Sequence, residues 1–233
     1  MSAGALFVAG AHTDIGKTHV GCALIRAARA RGRSCDAFKP VLSGFDPAQA
    51  ELSDAGRLLD ALGRPVTEID AVSPLRFSAP LAPPLAARRE GCRLALADLL
   101  ARCRAWLAGS DAQLKLLEGA GGVMSPIAED GLALDLPAGL ALPSVLVAGS
   151  YLGAVSHTLT ALEVMQRRGL TVLAVVVSQD ADADAPGLAE TCDLVRGFAG
   201  PAPLVAAPRG AEAGWPDAVL DLVSPALWPG AAR

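Results

Sequence analysis

The chain has 233 residues, 52% hydrophobic and only 4% aromatic, with a formal net charge of −4 at neutral pH. That length suits one good-sized domain or two small ones, with ample Ala, Leu and Val for a buried core. The charge balance speaks against a nucleic-acid partner, because the only basic run is the short RAARARGR at 26–33, read as the solvated end of a helix.

Residues 5–9 read as a fully buried strand, followed by an amphipathic helix over 16–31. SCDAFKP (34–40) reads as a second strand closed by its proline. Helical periodicity returns at 53–62 and at 94–108. Between them the Pro-rich SPLRFSAPLAPPLAARREG (73–91) breaks the rhythm and reads as a long loop over the carboxyl edge of a sheet. Strands follow at 113–119, 144–149 and 171–178, with a helix over 153–168 between the last two. A helix at 186–198 and a short strand at 202–208 complete the series. Continuous apolar strands alternating with helices predict an α/β fold, a mostly parallel sheet with helices on both faces, forming one domain over 1–233. No apolar stretch reaches 18 residues without a Gly, Pro or polar break, and the N-terminus lacks a basic leader. Neither a membrane span nor secretion is expected.

GAHTDIGKT, from Gly10 to Thr18, fits G-x-x-x-x-G-K-[ST] at every fixed position and lies between a predicted buried strand and an amphipathic helix. The glycines let successive N–H groups turn toward phosphate oxygens, and the following helix adds its positive end. Lys17 is expected to reach the β- and γ-phosphates of ATP and the Thr18 hydroxyl to ligate Mg²⁺. This makes the domain P-loop NTPase-like. His12 within the loop reads as a solvated residue in preference to a catalytic base, and His19 as packing.

Five cysteines with no C-x-x-C pairing read as reduced thiols, mostly small buried hydrophobes, in a cytoplasmic protein. The chain has 17 Arg but three Lys, and two of those, Lys17 and Lys39, adjoin small-residue loops after predicted strands. A compact ammonium suits a position among phosphate oxygens. FKPVLSG puts Lys39 and Ser43 directly after a strand, on the edge where the phosphate loop lies. ELSDAGRLL puts Asp54 at a helix start, where it reads equally as a metal contact and as a charge stabilised by the helix dipole. LLEGAGGVMSP ends a buried strand with Glu118, the usual position for a Mg²⁺ or water contact beside a phosphate loop.

Taken together, G-x-x-T-[DE]-x-G-K-T, K-P-V-x-[ST]-G, S-D near a helix start and E-G-A-G-G resemble the dethiobiotin synthetase family. The likeness continues through L-G-x-x-x-H-x-x-L-T in residues 142–170 and covers most of 4–180. The resemblance implies an ATP-dependent cyclo-ligase of biotin biosynthesis. Its substrates would be 7,8-diaminononanoate, CO₂ or bicarbonate, and ATP, and Mg²⁺ its metal. It further implies that Lys17 holds the phosphates, that Thr18, Asp54 and Glu118 position Mg²⁺, and that Lys39 stabilises a carbamate and the transferring phosphoryl group. Thr13, Asp14 and Ser43 would line the diamine side, with Thr13, Asp14, Ile15 and Gly16 also in the nucleotide loop. The backbone of Gly119, Ala120 and Gly121 would approach the ligands. Family members act as homodimers, which implies that Leu152, Gly153 and Ala154 serve the partner's site.

Gln179, Pro208, Arg209 and Gly210 fall where relatives flank adenine. Here the sequence reads Ser178-Gln179-Asp180 where many relatives carry Asn-Asp. It has Ser156 in place of an Asn, and APPL (82–85) without the family's histidine. Two rival readings remain beside this one. A partition-type switch ATPase would carry a second lysine where this loop has Ala11, and a cobyrinate-type amide synthetase would need a glutaminase domain after residue 210.

Overall fold

The computed structural model describes residues 4–210 and 214–229. The ends of the single unit expected over 1–233 therefore lie outside the described residues. In chain order, β1 (Ala5–Gly10) leads through the phosphate loop to α1 (Lys17–Ala30), then β2 (Cys35–Phe38), β3 (Val41–Ser43), α2 (Asp54–Leu62), α3 (Ile69–Val72) and β4 (Leu75–Phe77). There follow α4 (Pro83–Arg89), α5 (Leu96–Gly109), β5 (Leu114–Glu118), β6 (Pro126–Ala128), β7 (Gly131–Leu132) and α6 (Asp135–Leu140). The chain continues with β8 (Ser144–Gly149), α7 (Ala154–Arg167), β9 (Val172–Ser178), α8 (Leu188–Phe198), β10 (Leu204–Ala207) and α9 (Trp215–Leu227).

Six strands form one sheet in the order β10-β9-β8-β1-β5-β2, every pair parallel. Both faces are covered, as the unbroken apolar strands require. Alternation along β1 shows how: Leu6 and Val8 pack with α1, α2 and α9, whereas Phe7 and Ala9 pack with α5, α7 and α8. Each large side chain fully buried here contributes about 1.5–3 kcal/mol. The chain leaves β1 first toward β2 on one side and later returns to β8 on the other. The carboxyl ends of the strands around β1 are thus the topological switch point, where ligands bind in open α/β sheets.

The long loop expected over 73–91 is corrected: it contains β4 and α4. Pro83 and Pro84 occupy the first turn of α4, where a missing N–H costs no helical bond. β4 pairs in parallel with β3, the continuation of β2 past Pro40, in a two-stranded ribbon. The arginine run is also more than a solvated helix end. Arg26 pairs with Asp60 at 2.8 Å, Arg31 reaches Asp217 and Asp221 of α9, and Arg33 lies over the Trp228 ring at 3.8 Å. Of the cysteines, Cys22, Cys103 and Cys192 are buried, Cys35 half-buried and Cys92 exposed.

Among the described residues no helix is long and apolar enough to cross a membrane.

Candidate active site

The phosphate loop begins where β1 runs out at Gly10. Gly16 caps α1 with φ 93°, and no side chain caps the helix, so the first-turn N–H groups remain available to an anion. A Cβ at Gly16 would lie 3.0 Å from Ser178 Oγ on a left-handed backbone, which restricts the position to glycine. Asp14 is also left-handed, with φ 53°. Ile15 is buried and anchors the loop. Thr13 and Asp14 are exposed on its outer limb.

Lys17 and Thr18 are each buried at the start of α1. Lys17 Nζ donates to the His12 carbonyl at 3.3 Å. Burial, seconded by the charge of Lys39, lowers its pKa, with Glu118, Asp54 and Asp14 pulling the other way.

Three strand or helix ends meet behind the loop. Lys39 follows β2, its N–H donating to Val72 O at 2.8 Å, and its side chain is 3% exposed. Glu118 ends β5 and is fully buried. Asp54 opens α2, whose N-cap Ser53 accepts a hydrogen bond from the Gly56 N–H. Lys39 Nζ lies 2.6 Å from Asp54 Oδ2 and 2.6 Å from Glu118 Oε1, and the Thr18 hydroxyl donates to that same Oε1 at 2.8 Å. Burial alone would lower the Lys39 pKa, but Glu118 and Asp54 more than offset it and raise it above the ordinary lysine value. For Asp54 burial pushes up, and the Lys39 ammonium wins, holding the carboxyl below its usual range. Asp54 is thus a first-turn charge, as one of its two readings had it, and it also pairs with Lys39.

The cluster's chemistry suits a hard divalent cation. Thr18 Oγ1, Asp54 and Glu118 supply oxygen donors around a point that already holds one positive charge. Glu118 Oε2 is buried with no hydrogen-bond partner. Among the described residues no group of three His, Cys, Asp or Glu could hold a metal by itself. A cation held here would need phosphate oxygens and water to complete its shell.

On one side of the loop opens a cavity of about 500 Å³, reaching from Gly16 to Tyr151, Gln179 and Arg209. Gln179 ties its far wall together: its N–H donates to Ala207 O, and its Oε1 accepts the Arg209 N–H at 2.9 Å. Pro208 and Gly210 adjoin this wall in sequence but do not line the cavity. The lining includes two side chains that sequence reasoning passed over, Tyr151 and Arg57, and also His19. His19 packs its ring against Trp215, at 6.0 Å between centroids, as expected, but it is exposed and also lines this cavity. Arg57 lies three residues after Asp54, hence on the same helix face, a signal the sequence did contain.

On the loop's other side a second cavity of about 440 Å³ is bounded by Thr13, Gly122, Ser125, His157 and Thr160. Gly119 and Ala120 are buried between the loop and the sheet, and Gly121 adopts φ 70°. Ser43, at the end of β3, is half-buried and lines neither cavity. Leu152, Gly153 and Ala154 form the start of α7 outside both cavities, with Leu152 89% exposed and Gly153 the N-cap at φ 93°. Lys17, Thr18, Lys39, Asp54 and Glu118 are thus brought together, whereas Ser43 and 152–154 stand apart.

A protein-family model described as an AAA domain matches residues 4–207. The ATP-dependent dethiobiotin synthetase BioD of Phenylobacterium zucineum is 63% identical over 220 residues, covering 94% of each chain. That of Caulobacter vibrioides is 57% identical over 204 residues, covering 88% of this chain and 92% of its own. Among solved structures, chloroplast FtsY from Physcomitrella patens aligns with a TM-score of 0.50 at 13% identity, covering 97% of this chain and 66% of that one. The last likeness concerns the fold alone.

Proposed function

The chain belongs to the ATP-dependent dethiobiotin synthetases and is an ATP-dependent cyclo-ligase, and on that premise we propose how its own residues carry the reaction. The observation that carries the proposal is the buried Lys39 ammonium held between Asp54 and Glu118, directly behind the phosphate loop.

One amine of 7,8-diaminononanoate attacks CO₂ and loses a proton, giving a carbamate. A carbamate oxygen then attacks the γ-phosphorus, the bond to ADP breaks, and a carbamic-phosphoric anhydride forms. The second amine attacks the anhydride carbon, phosphate leaves with an oxygen that came from CO₂, and loss of a proton completes the ureido ring. Lys17 neutralises the β- and γ-phosphate oxygens from the loop. Lys39 stays protonated, because its pKa is raised, and offers fixed positive charge to the carbamate and the transferring phosphoryl group. Thr18, Asp54 and Glu118 would hold Mg²⁺, which when bound draws charge from the phosphates.

Thr13 and Asp14 are assigned to the diamine side with the backbone of 119–121, and Thr13 borders the second cavity. Gln179 and Arg209 are assigned to the nucleotide base, as residues lining the larger cavity. Ser43 keeps a substrate role only if the diamine extends toward the β3–β4 ribbon. A homodimer is proposed in which 152–154 meet the partner's substrate; in favour are the exposed Leu152 and the uncapped helix start beside it. A cytoplasmic location is proposed on the five free thiols.

The test is ADP release with ATP, Mg²⁺ and bicarbonate, measured with and without the diamine. Diamine-dependent release matched by dethiobiotin is the expected result; release indifferent to the diamine, with no dethiobiotin, overturns the assignment.

A further inference from the structure

The phosphate loop has to keep its N–H groups free for the nucleotide, and this raises the question of what holds it in shape. Among the described residues the loop between β1 and α1 carries one turn, at 13–14, and the last backbone bond that ties it to the sheet before that turn is Ala11 N–H to Val147 O at 2.8 Å. Ile15 anchors the second limb by burial. The first limb is exposed, and its anchor is a ring.

The imidazole of His12 stacks in an offset, near-parallel arrangement on that of His157, with centroids 5.3 Å apart and planes 9° from parallel. His157 belongs to α7, on the far side of β8 from the loop's own helix. Its Nδ1 shares a hydrogen bond of 2.6 Å with the Tyr151 hydroxyl. The Tyr151 ring tilts against both imidazoles, at 6.0 and 5.7 Å. The space for it depends on Gly149, where a Cβ would fall 2.9 Å from the ring and 2.7 Å from Ile15. His12 is further fixed by its own Nδ1–H, which donates to Thr13 O at 2.8 Å. The carbonyl of His12 accepts from Lys17 Nζ at 3.3 Å. A continuous chain of contacts thus runs from Tyr151 through His157 and His12 to the phosphate-loop lysine.

We propose that His12 is a positioning residue for Lys17, its backbone set by an aromatic clamp that His157 and Tyr151 supply from the loop and helix after β8. Ordering this limb in advance removes part of the entropic cost of nucleotide binding. The clamp stands on the partition between the two cavities, since His12 lines both. The proposal rests on the reading of Gly10 to Thr18 as the nucleotide site, and the experiment separates the two.

ADP and adenosine affinities are measured by calorimetry for the wild type and for His157→Ala, His157→Phe, Tyr151→Phe, His12→Ala and the His12→Ala/His157→Ala double variant, with melting temperatures alongside. Loss of one aromatic pair weakens ADP binding about 3- to 10-fold in His157→Ala. His157→Phe recovers most of that loss, because stacking returns. Tyr151→Phe weakens binding about 2- to 5-fold, the size of one hydrogen bond. The double variant is no weaker than His12→Ala, as members of one chain are not additive. Adenosine binding is unaffected in His157→Ala, whose side chain lies outside the cavity assigned to the base, because the clamp acts through Lys17 on the phosphates. ADP affinity within twofold of wild type in His157→Ala, additive losses in the double variant, or equal weakening of adenosine in His157→Ala would overturn the clamp. A wild-type protein that does not bind ADP would overturn the nucleotide site itself.

Discussion

Lys39 and Glu118 stand 79 residues apart in the chain and 2.6 Å apart in space, the first 3% exposed and the second fully buried. Neither charge can be removed without exposing the other to a low-dielectric interior. The pair therefore serves stability and chemistry at once.

Lys39→Met keeps the length of the stem and removes the ammonium. Turnover is expected to fall about 10²- to 10³-fold, the usual effect of losing one preorganised charge donor. ADP affinity should stay within a few-fold, because the phosphate loop is intact. Single-turnover kinetics with calorimetric ADP titration checks both; unchanged turnover removes Lys39 from the mechanism.

The same substitution leaves Asp54 and Glu118 facing one another uncompensated. The expected cost is about 3–5 kcal/mol of folding stability, read as a lower urea midpoint. Mg²⁺ alone should raise the melting temperature of Lys39→Met more than that of the wild type, since a divalent cation can take the vacated position. Equal Mg²⁺ shifts in the two proteins would count against the assigned metal ligands.

Acid should weaken this cluster in a defined window. The Asp54 carboxyl is held below its ordinary value of 3.8 by Lys39 against the opposing effect of burial. Its contribution to stability is therefore complete above that value and is lost as pH falls through the lower folded one. Urea unfolding of the wild type and Asp54→Asn from pH 7 to pH 3 should give a constant difference down to about pH 4 that shrinks below it. On the alkaline side the raised Lys39 pKa works oppositely: its contribution is complete below the ordinary lysine value of 10.5 and is lost as pH rises through the folded one.

Thiol reactivity reads the packing of the two cores. Burial pushes the Cys22 and Cys103 thiols up to about 12 and Cys35 to about 11, while Cys92 is exposed. Alkylation of the native protein at pH 8, followed by peptide mass mapping, should mark Cys92 first and spare Cys22 and Cys103. All five should react in urea. Early modification of Cys22 would contradict the packing of α1 against α2.

The six sheet strands and α1, α2, α5, α7 and α8 were legible because buried parallel strands are continuous apolar runs and these surface helices keep a 3.6-residue period. Lys17, Thr18, Lys39 and Glu118 were legible because each ends a strand or opens a helix at the sheet's carboxyl edge. The β4–α4 segment was hidden by Pro83 and Pro84, which terminate helices in the interior yet start them at the first turn. α9 was masked similarly by Pro216 and Pro225. The His12–His157 stack has no local signature, since 145 residues separate rings that the β1–β8 pairing brings together.

The central claim is that a carbamate oxygen receives the γ-phosphoryl group, and oxygen tracing tests it most directly. Turnover with ¹⁸O-labelled CO₂, quenched before exchange with water, is expected to deliver one labelled oxygen into the released phosphate and one into the ureido carbonyl of the product. Phosphate carrying oxygen from water alone would contradict the account.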